Sequence, residues 1–304
     1  MTRTTRRRFL RQTVHSSAAL LAAGPLAGLL AGERSERGDR GSKMNFGLVT
    51  YQWGKNWTLP ELIEECAKAG ALGVELRTTH AHGVEPRLDA RERREVKKRF
   101  DDSPVTLVGL GSNERFDSPD PTELKAAIEK TRAFIRLSHD VGGSGVKVKP
   151  DSFHKGVPHE KTVEQIGRAL NTVGKFGADH GQQIRLEVHG QCAALPVIRQ
   201  ILDVADHPNV AICWNSNEQD LQGKGLEHNF ELVKDRFGKT VHVRPFDSKE
   251  YPYEKLMGLL VAMDYDGWVL LEDGRVPADP ARELRRQRQL FIKLRALARE
   301  GGKG

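Results

Sequence analysis

Ile184-Arg185-Leu186-Glu187-Val188-His189 puts apolar side chains at 184, 186 and 188 and polar ones at 185, 187 and 189. Side chains alternate across a β-strand, so one face of this segment is apolar and the other carries a guanidinium, a carboxylate and an imidazole. The split recurs along the chain. It separates Val146 and Val148 from Lys147 and Lys149, Val74 and Leu76 from Glu75 and Arg77, Val241 and Val243 from His242 and Arg244, and Val269 and Leu271 from Glu272. Such segments predict strands over 45–50, 73–77, 105–111, 145–149, 184–189, 210–215, 240–244 and 268–272. Amphipathic stretches predict helices over 59–69, 89–100, 122–141, 160–180, 194–205, 227–237, 253–263 and 280–299, with Gly or Pro at most junctions. Strict alternation argues for a parallel sheet with helices outside. Eight units in about 260 residues match a single closed (β/α)8 TIM barrel, typically ~250 residues long. A doubly wound sheet is the alternative, but no Gly-x-Gly-x-x-Gly turn follows the first strand.

Composition agrees with one folded domain. Apolar residues make up 38% of the 304, and the 30 glycines bring the share to roughly half, the ordinary globular range. With three cysteines, an odd number, no disulfide framework is expected. The net charge of +7 is uneven: residues 1–32 hold Arg3, Arg6, Arg7, Arg8 and Arg11 without an acid, which leaves +2 for the rest. That remainder is too small for a nucleic-acid-binding surface.

Residues 1–32 read as a signal peptide. Arg6-Arg7-Arg8-Phe9-Leu10 precedes the apolar and small run 18–32, and an arginine pair followed by Phe-Leu resembles the twin-arginine type. About 15 apolar residues fall short of the roughly 20 a membrane span requires, so no stable span is expected after cleavage. Leu29-Leu30-Ala31-Gly32 is only a loose cleavage match, which leaves retention as an anchor open. Residues 33–43 mix charges with Gly and Ser and read as a flexible linker, and 44–304 as the barrel. The expected location is the periplasm, reached by a route that carries folded proteins.

A barrel axis is normally filled by branched apolar side chains, and charge there is costly unless paired or bound to a cation. The inward polar residues stand at the C-terminal strand ends, where barrel enzymes build their sites. Ion pairs such as Glu75 with Lys147 or Arg77 account for part of the set. Glu187, His242 and Glu272, from strands five, seven and eight, bring two carboxylates and an imidazole together, a group that suits a divalent metal. Asn215, ending strand six, completes four donors.

With Leu186-Glu187-Val188-His189-Gly190, Val210-Ala211-Ile212-Cys213-Trp214-Asn215, Val241-His242-Val243 and Leu270-Leu271-Glu272 in order, the chain from Met44 onward resembles the xylose-isomerase-like TIM barrel superfamily, in its sugar isomerase and epimerase branch. The resemblance implies a divalent cation held by Glu187, Asn215, His242 and Glu272: Mn2+ first, with Mg2+, Co2+ or Zn2+ as alternatives. It also implies that Glu187 and Glu272 handle protons. Asn215 departs from the family's Asp, which predicts weaker metal binding, and Glu218 stands where the family has His.

The expected function is a metal-dependent sugar isomerase or epimerase, working by proton abstraction next to a carbonyl through a metal-stabilised enediolate. A 3-keto-glycoside lyase using the same deprotonation, or a non-catalytic sugar-binding barrel, are the alternatives. His189, Lys147, Lys149 and Arg244 are candidates for gripping a carbohydrate, Trp53 and Trp57 for an apolar wall, and His80 or His82 for metal or hydroxyl contacts. Cys66, Cys192 and Cys213 read as structural, since none has the partners of a thiol nucleophile. A three-metal nuclease centre would need ligands that strands three, six and seven lack; Asp247, for one, is followed by Ser248 and Lys249. Related barrels often pair, so a homo-oligomer is compatible with the resemblance.

Overall fold

Eight parallel strands pair each with its sequence neighbour: β1 (Asn45–Val49), β2 (Gly73–Arg77), β3 (Thr106–Arg115), β4 (Gly145–Lys149), β5 (Gln183–Glu187), β6 (Val210–Asn215), β7 (Phe237–Val243) and β8 (Trp268–Leu271). The eighth returns to the first, with Gly47 opposite Leu270, and closes a single (β/α)8 barrel. Helices α1 (Leu59–Ala69), α2 (Ala90–Asp101), α3 (Pro121–Asp140), α4 (His159–Ala178), α5 (Leu195–Val204), α6 (Leu226–Glu231), α7 (Tyr253–Ala262) and α8 (Pro280–Gly301) follow the strands in turn. This computed structural model describes residues 40–301; the expected signal segment and all but the end of the linker lie outside them. No helix among the described residues is long and apolar enough to cross a membrane.

Two apolar regions fill the molecule. The outward parity of the strands, including Ile184, Leu186, Val188, Val241 and Val269, is buried against the helices. Inside the barrel, a small plug of Val49, Val108 and Leu270 packs with Trp268. Large inward side chains fit because their neighbours are small: a Cβ on Gly73 would come within 2.3 Å of the Trp268 ring. Gly145 likewise leaves space for Arg185, whose guanidinium donates to Val108 O at 3.1 Å and Ser144 Oγ at 2.8 Å. The fifth strand's arginine is therefore a satisfied group near the closed end of the barrel.

Three boundaries differ from the sequence reading. The helix expected over 227–237 stops at Glu231, a short 3-10 turn covers Lys234–Arg236, and β7 begins at Phe237. Phe237 extends because its ring stacks on Trp214, with centroids 5.8 Å apart, and packs on Phe230 at 4.8 Å, contacts that a continued helix would break. Strand β3 runs on to Arg115, and β5 ends at Glu187 because the chain beyond it turns toward the β4 loop.

Candidate active site

Glu187, His242 and Glu272 converge at the C-terminal mouth of the barrel, each offering a ligand atom within 4.8 Å of the others'. His242 Nδ1 lies 3.5 Å from Glu187 Oε1 and 3.4 Å from Glu272 Oε2, while Nε2 faces Glu75 Oε1 at 3.4 Å. Asn215 Nδ2 donates to Glu187 Oε1 at 3.0 Å. The register explains the meeting: Asn215 and Leu270 are both opposite His242, and Glu187 is opposite Cys213, two residues before Asn215. Lys147 Nζ bonds Glu187 Oε2 at 2.6 Å, with the ammonium and the carboxylate almost wholly enclosed. The ion pair considered between Glu75 and Lys147 is thus made by Glu187 instead.

The charges of this cluster depend on one another. Burial opposes the charge on Glu187, but Lys147, and then His242, hold its carboxyl well below the usual range. Burial likewise opposes the Lys147 charge, and Glu187, Glu75 and Glu272 outweigh it, so the ammonium stays protonated. For Glu272, burial is overcome chiefly by His242. For the His242 imidazole, burial is overcome by the Cys213 sulfur and the Glu75 and Glu187 carboxylates, which raise its pKa well above the ordinary value.

The donor set fits a divalent cation. Asn215 Oδ1, both His242 ring nitrogens and both Glu75 carboxylate oxygens are buried without a hydrogen-bond partner. Such atoms cost about 1–3 kcal/mol each when left unsatisfied. A cation between Glu187 and Glu272 would occupy His242 Nδ1 and give Asn215 Oδ1 a partner, and imidazole with carboxylates suits Mn2+ or Zn2+. The other ring nitrogen, Nε2, then faces Glu75, the kind of carboxylate that fixes a ligand histidine's tautomer.

Around this centre the remaining candidates occupy different settings. His189 Nδ1 bonds Asp151 Oδ1 at 2.7 Å, and Arg115 Nη1 holds the other oxygen of Asp151 at 2.9 Å. Asp151 sits at φ +62° in the left-handed region, braced by the Cys192 N–H on its carbonyl at 3.2 Å. Sequence reading passed over Asp151; a Pro-Asp step directly after a strand at the mouth of a barrel is the signal that marks it. Lys149 is 5% exposed. Arg244 and Tyr251 line a cavity of about 710 Å³ with Glu218, Asp273 and Arg275.

The two loop histidines separate. His82 is engaged at both ring nitrogens, with Arg77 O at 2.8 Å and the Val84 N–H at 3.0 Å, and so shapes its own loop. His80 lies 3.3 Å from Thr50 Oγ1, and burial followed by the charges of His82, Arg77 and Lys55 lowers its pKa to about 4. Trp53 is buried, its indole donating to Arg275 O at 2.6 Å, while Trp57 is partly buried against the core. Cys66, Cys192 and Cys213 are buried and free.

Comparison with known proteins gives a family and a fold. The family model described as "xylose isomerase-like TIM barrel" matches residues 63–294. No curated protein matches the chain. Among solved structures, the 3-keto-D-glucoside 4-epimerase of E. coli in apo form has a TM-score of 0.70 at 16% identity, over 84% of this chain and 100% of its own. The D-psicose 3-epimerase of Clostridium cellulolyticum H10 with D-tagatose gives 0.69 at 16%, over 84% and 99%. The IOLI protein with a zinc atom gives 0.69 at 14%, over 84% and 98%. At these identities the likeness is one of fold.

Proposed function

This chain belongs to the xylose isomerase-like TIM barrel family, and we propose that it is a divalent-metal-dependent sugar isomerase or epimerase. The observation that carries the reading is the buried convergence of Glu187, His242 and Glu272 at the barrel mouth, completed by Asn215. The similarity in fold to a 3-keto-D-glucoside 4-epimerase and a D-psicose 3-epimerase supports a keto-sugar substrate, and the zinc-holding neighbour supports the cofactor. Bound there, a divalent cation supplies Lewis acidity to adjacent carbonyl and hydroxyl oxygens of a ketose.

The protein's own groups then divide the work. Glu187 and Glu272 are the two carboxylates positioned to take and return a proton next to the carbonyl. Glu187 is the more fixed, gripped by Lys147 on one oxygen and Asn215 on the other. Glu272 accepts from neither of them and, at 6% exposed against 1% for Glu187, is the more open to the mouth. Placing one carboxylate on each face of the sugar would invert the centre, whereas returning the proton at the neighbouring carbon would isomerise it. His189, its Nδ1 bonded to Asp151, presents Nε2 for a sugar hydroxyl.

The reading is tested by solvent deuterium exchange into a panel of ketoses with Mn2+ present. Wild type is expected to label a ketose carbon next to the carbonyl, and Glu187→Gln to lose at least about 100-fold of that rate, the usual worth of an acid/base group. Equal inertness of both across the panel overturns it. A second reading, a non-catalytic sugar-binding barrel, is favoured by Asn215 in the place of Asp and by the Lys147 charge seated on Glu187. Absence of Mn2+, Mg2+, Co2+ and Zn2+ binding in calorimetry would select it. Export through the twin-arginine route belongs to the same proposal. Replacing Arg6 and Arg7 with lysine is expected to leave the protein in the cytoplasmic fraction, and unchanged export would refute the assignment.

A further inference from the structure

Lys149 ends β4 one inward step beyond Lys147, and it differs from Lys147 in having no carboxylate within ion-pair distance among the described residues. The residue is 5% exposed, and its ammonium makes no ion pair or hydrogen bond among the described residues. The nearby carboxylates are committed elsewhere: Glu187 to Lys147 at 2.6 Å, and Asp151 to Arg115 at 2.9 Å and His189 at 2.7 Å. Arg77, ending β2, is in a similar position. Its guanidinium lies over the Tyr51 ring, 4.4 Å from the centroid, and among the described residues donates only to Asn113 Oδ1, at 3.5 Å. Across the mouth, at β8, Asp273 is paired with Arg275 at 3.4 Å.

Strand β3 lies between these cations, with Gly111 opposite Arg77 and Arg115 opposite Lys149. Arg77 and Lys147 are both opposite Gly111 of β3, so a residue without a side chain separates the two charged positions. A Cβ on Gly111 would come within 3.0 Å of Glu75 Oε1 and 3.5 Å of Lys147 Cε, so the glycine makes room for the Glu75 carboxylate and the Lys147 stem. Burial first, then the Lys147 and Arg77 charges, lowers the Lys149 pKa against the opposing pull of Glu187 and Asp151. A cation lining the mouth with no carboxylate in ion-pair contact is free to take its partner from a ligand.

We propose that Lys149 and Arg77 form an anion subsite on the β2–β4 side of the mouth, and that the substrate is a ketose carrying a carboxylate or a phosphate. The proposal deepens the ketose reading and rests on it for the sugar, but the anion subsite is testable by itself. In titration calorimetry of the full chain with Mn2+, D-fructuronate or D-fructose 6-phosphate is expected to bind at least about tenfold tighter than D-fructose, about 1.4 kcal/mol. The stronger of the two tells carboxylate from phosphate. Lys149→Met should remove the preference by weakening the anionic ketoses at least about tenfold more than D-fructose, Lys149→Arg should keep it, and added salt should weaken it.

Lys149→Met should also preserve the melting temperature, because it breaks no ion pair; a marked fall would mean a structural role and overturn the assignment. Equal affinities for neutral and anionic ketoses, or a preference that survives Lys149→Met, overturn it as well. Inorganic phosphate and acetate separate the two readings. Lys149-dependent binding of either one with no binding of any ketose sinks the ketose assignment and upholds the anion subsite. No anion binding in any arm sinks the subsite.

Discussion

At Lys147 the cost of burying a charge and the need to hold a carboxylate meet in one side chain. Removing one member of an enclosed ion pair strands the other, typically at about 3–5 kcal/mol. Lys147→Met is therefore expected to destabilise the barrel by about that amount in urea denaturation, and adding Glu187→Gln should restore most of the loss; a single variant as stable as wild type would refute the pairing. A different buried carboxyl governs pH dependence. Burial raises Asp220 from 3.8 to about 7, against the opposing pull of the Asn217 N–H and the Tyr251 hydroxyl, which donates to it at 2.7 Å. Because the folded-state pKa lies above the unfolded one, the folded state keeps a proton that the unfolded chain releases. This contribution is fully present below about pH 4 and is lost as pH rises through about 7. The melting temperature of wild type relative to Asp220→Asn should accordingly fall across that window, and a flat difference would exclude the assignment.

Among the elements, the loops after β4 and β5 depend most closely on each other. Asp151 adopts a conformation uncommon for a residue with a side chain, tolerated best by Asp and Asn, and so turns its carboxylate toward both Arg115 and His189. Gly190 makes this approach possible. It has φ +69°, and a Cβ there would lie 2.4 Å from Asp151 O. Gly190→Ala should cost more than about 1 kcal/mol of stability, measured by thermal unfolding, through strain at positive φ and displacement of the β4 loop. Its effect on ketose exchange should exceed that of Asp151→Asn, which keeps the loop and weakens only the hold on His189. The reverse order would show that the carboxylate, and not the loop path, governs the site.

For the whole molecule, a cation that binds only the folded state stabilises it by mass action. At about 100 times its dissociation constant the gain is about 2.7 kcal/mol, on the order of 5–10 °C for a barrel of this size. Mn2+ should raise the melting temperature and a chelator should reverse the rise. Asn215→Asp should reach the same shift at lower Mn2+, because a third negative ligand replaces a neutral amide. No shift in either protein would count against metal binding at the mouth.

The alternation of apolar and polar residues determined the barrel without help from tertiary structure, because a strand buried on one face by helices and on the other by the axis leaves a period of two in its sequence. The same parity marked Glu187, His242 and Glu272 as inward residues at strand ends. What it left open was pairing. Lys147 and Glu75 share a face with Glu187, and sequence spacing alone does not say which carboxylate takes the ammonium; strand register and side-chain reach gave it to Glu187. Phe237 reads as the end of a helix until Trp214 and Phe230 are packed beside it. Asp151 and His189 meet through two loops, whose course depends on backbone conformations and close approaches between residues 38 positions apart. Periodicity is a local property that the chain carries in one dimension, whereas partner choice among like groups is decided by distances that exist only after the barrel has closed.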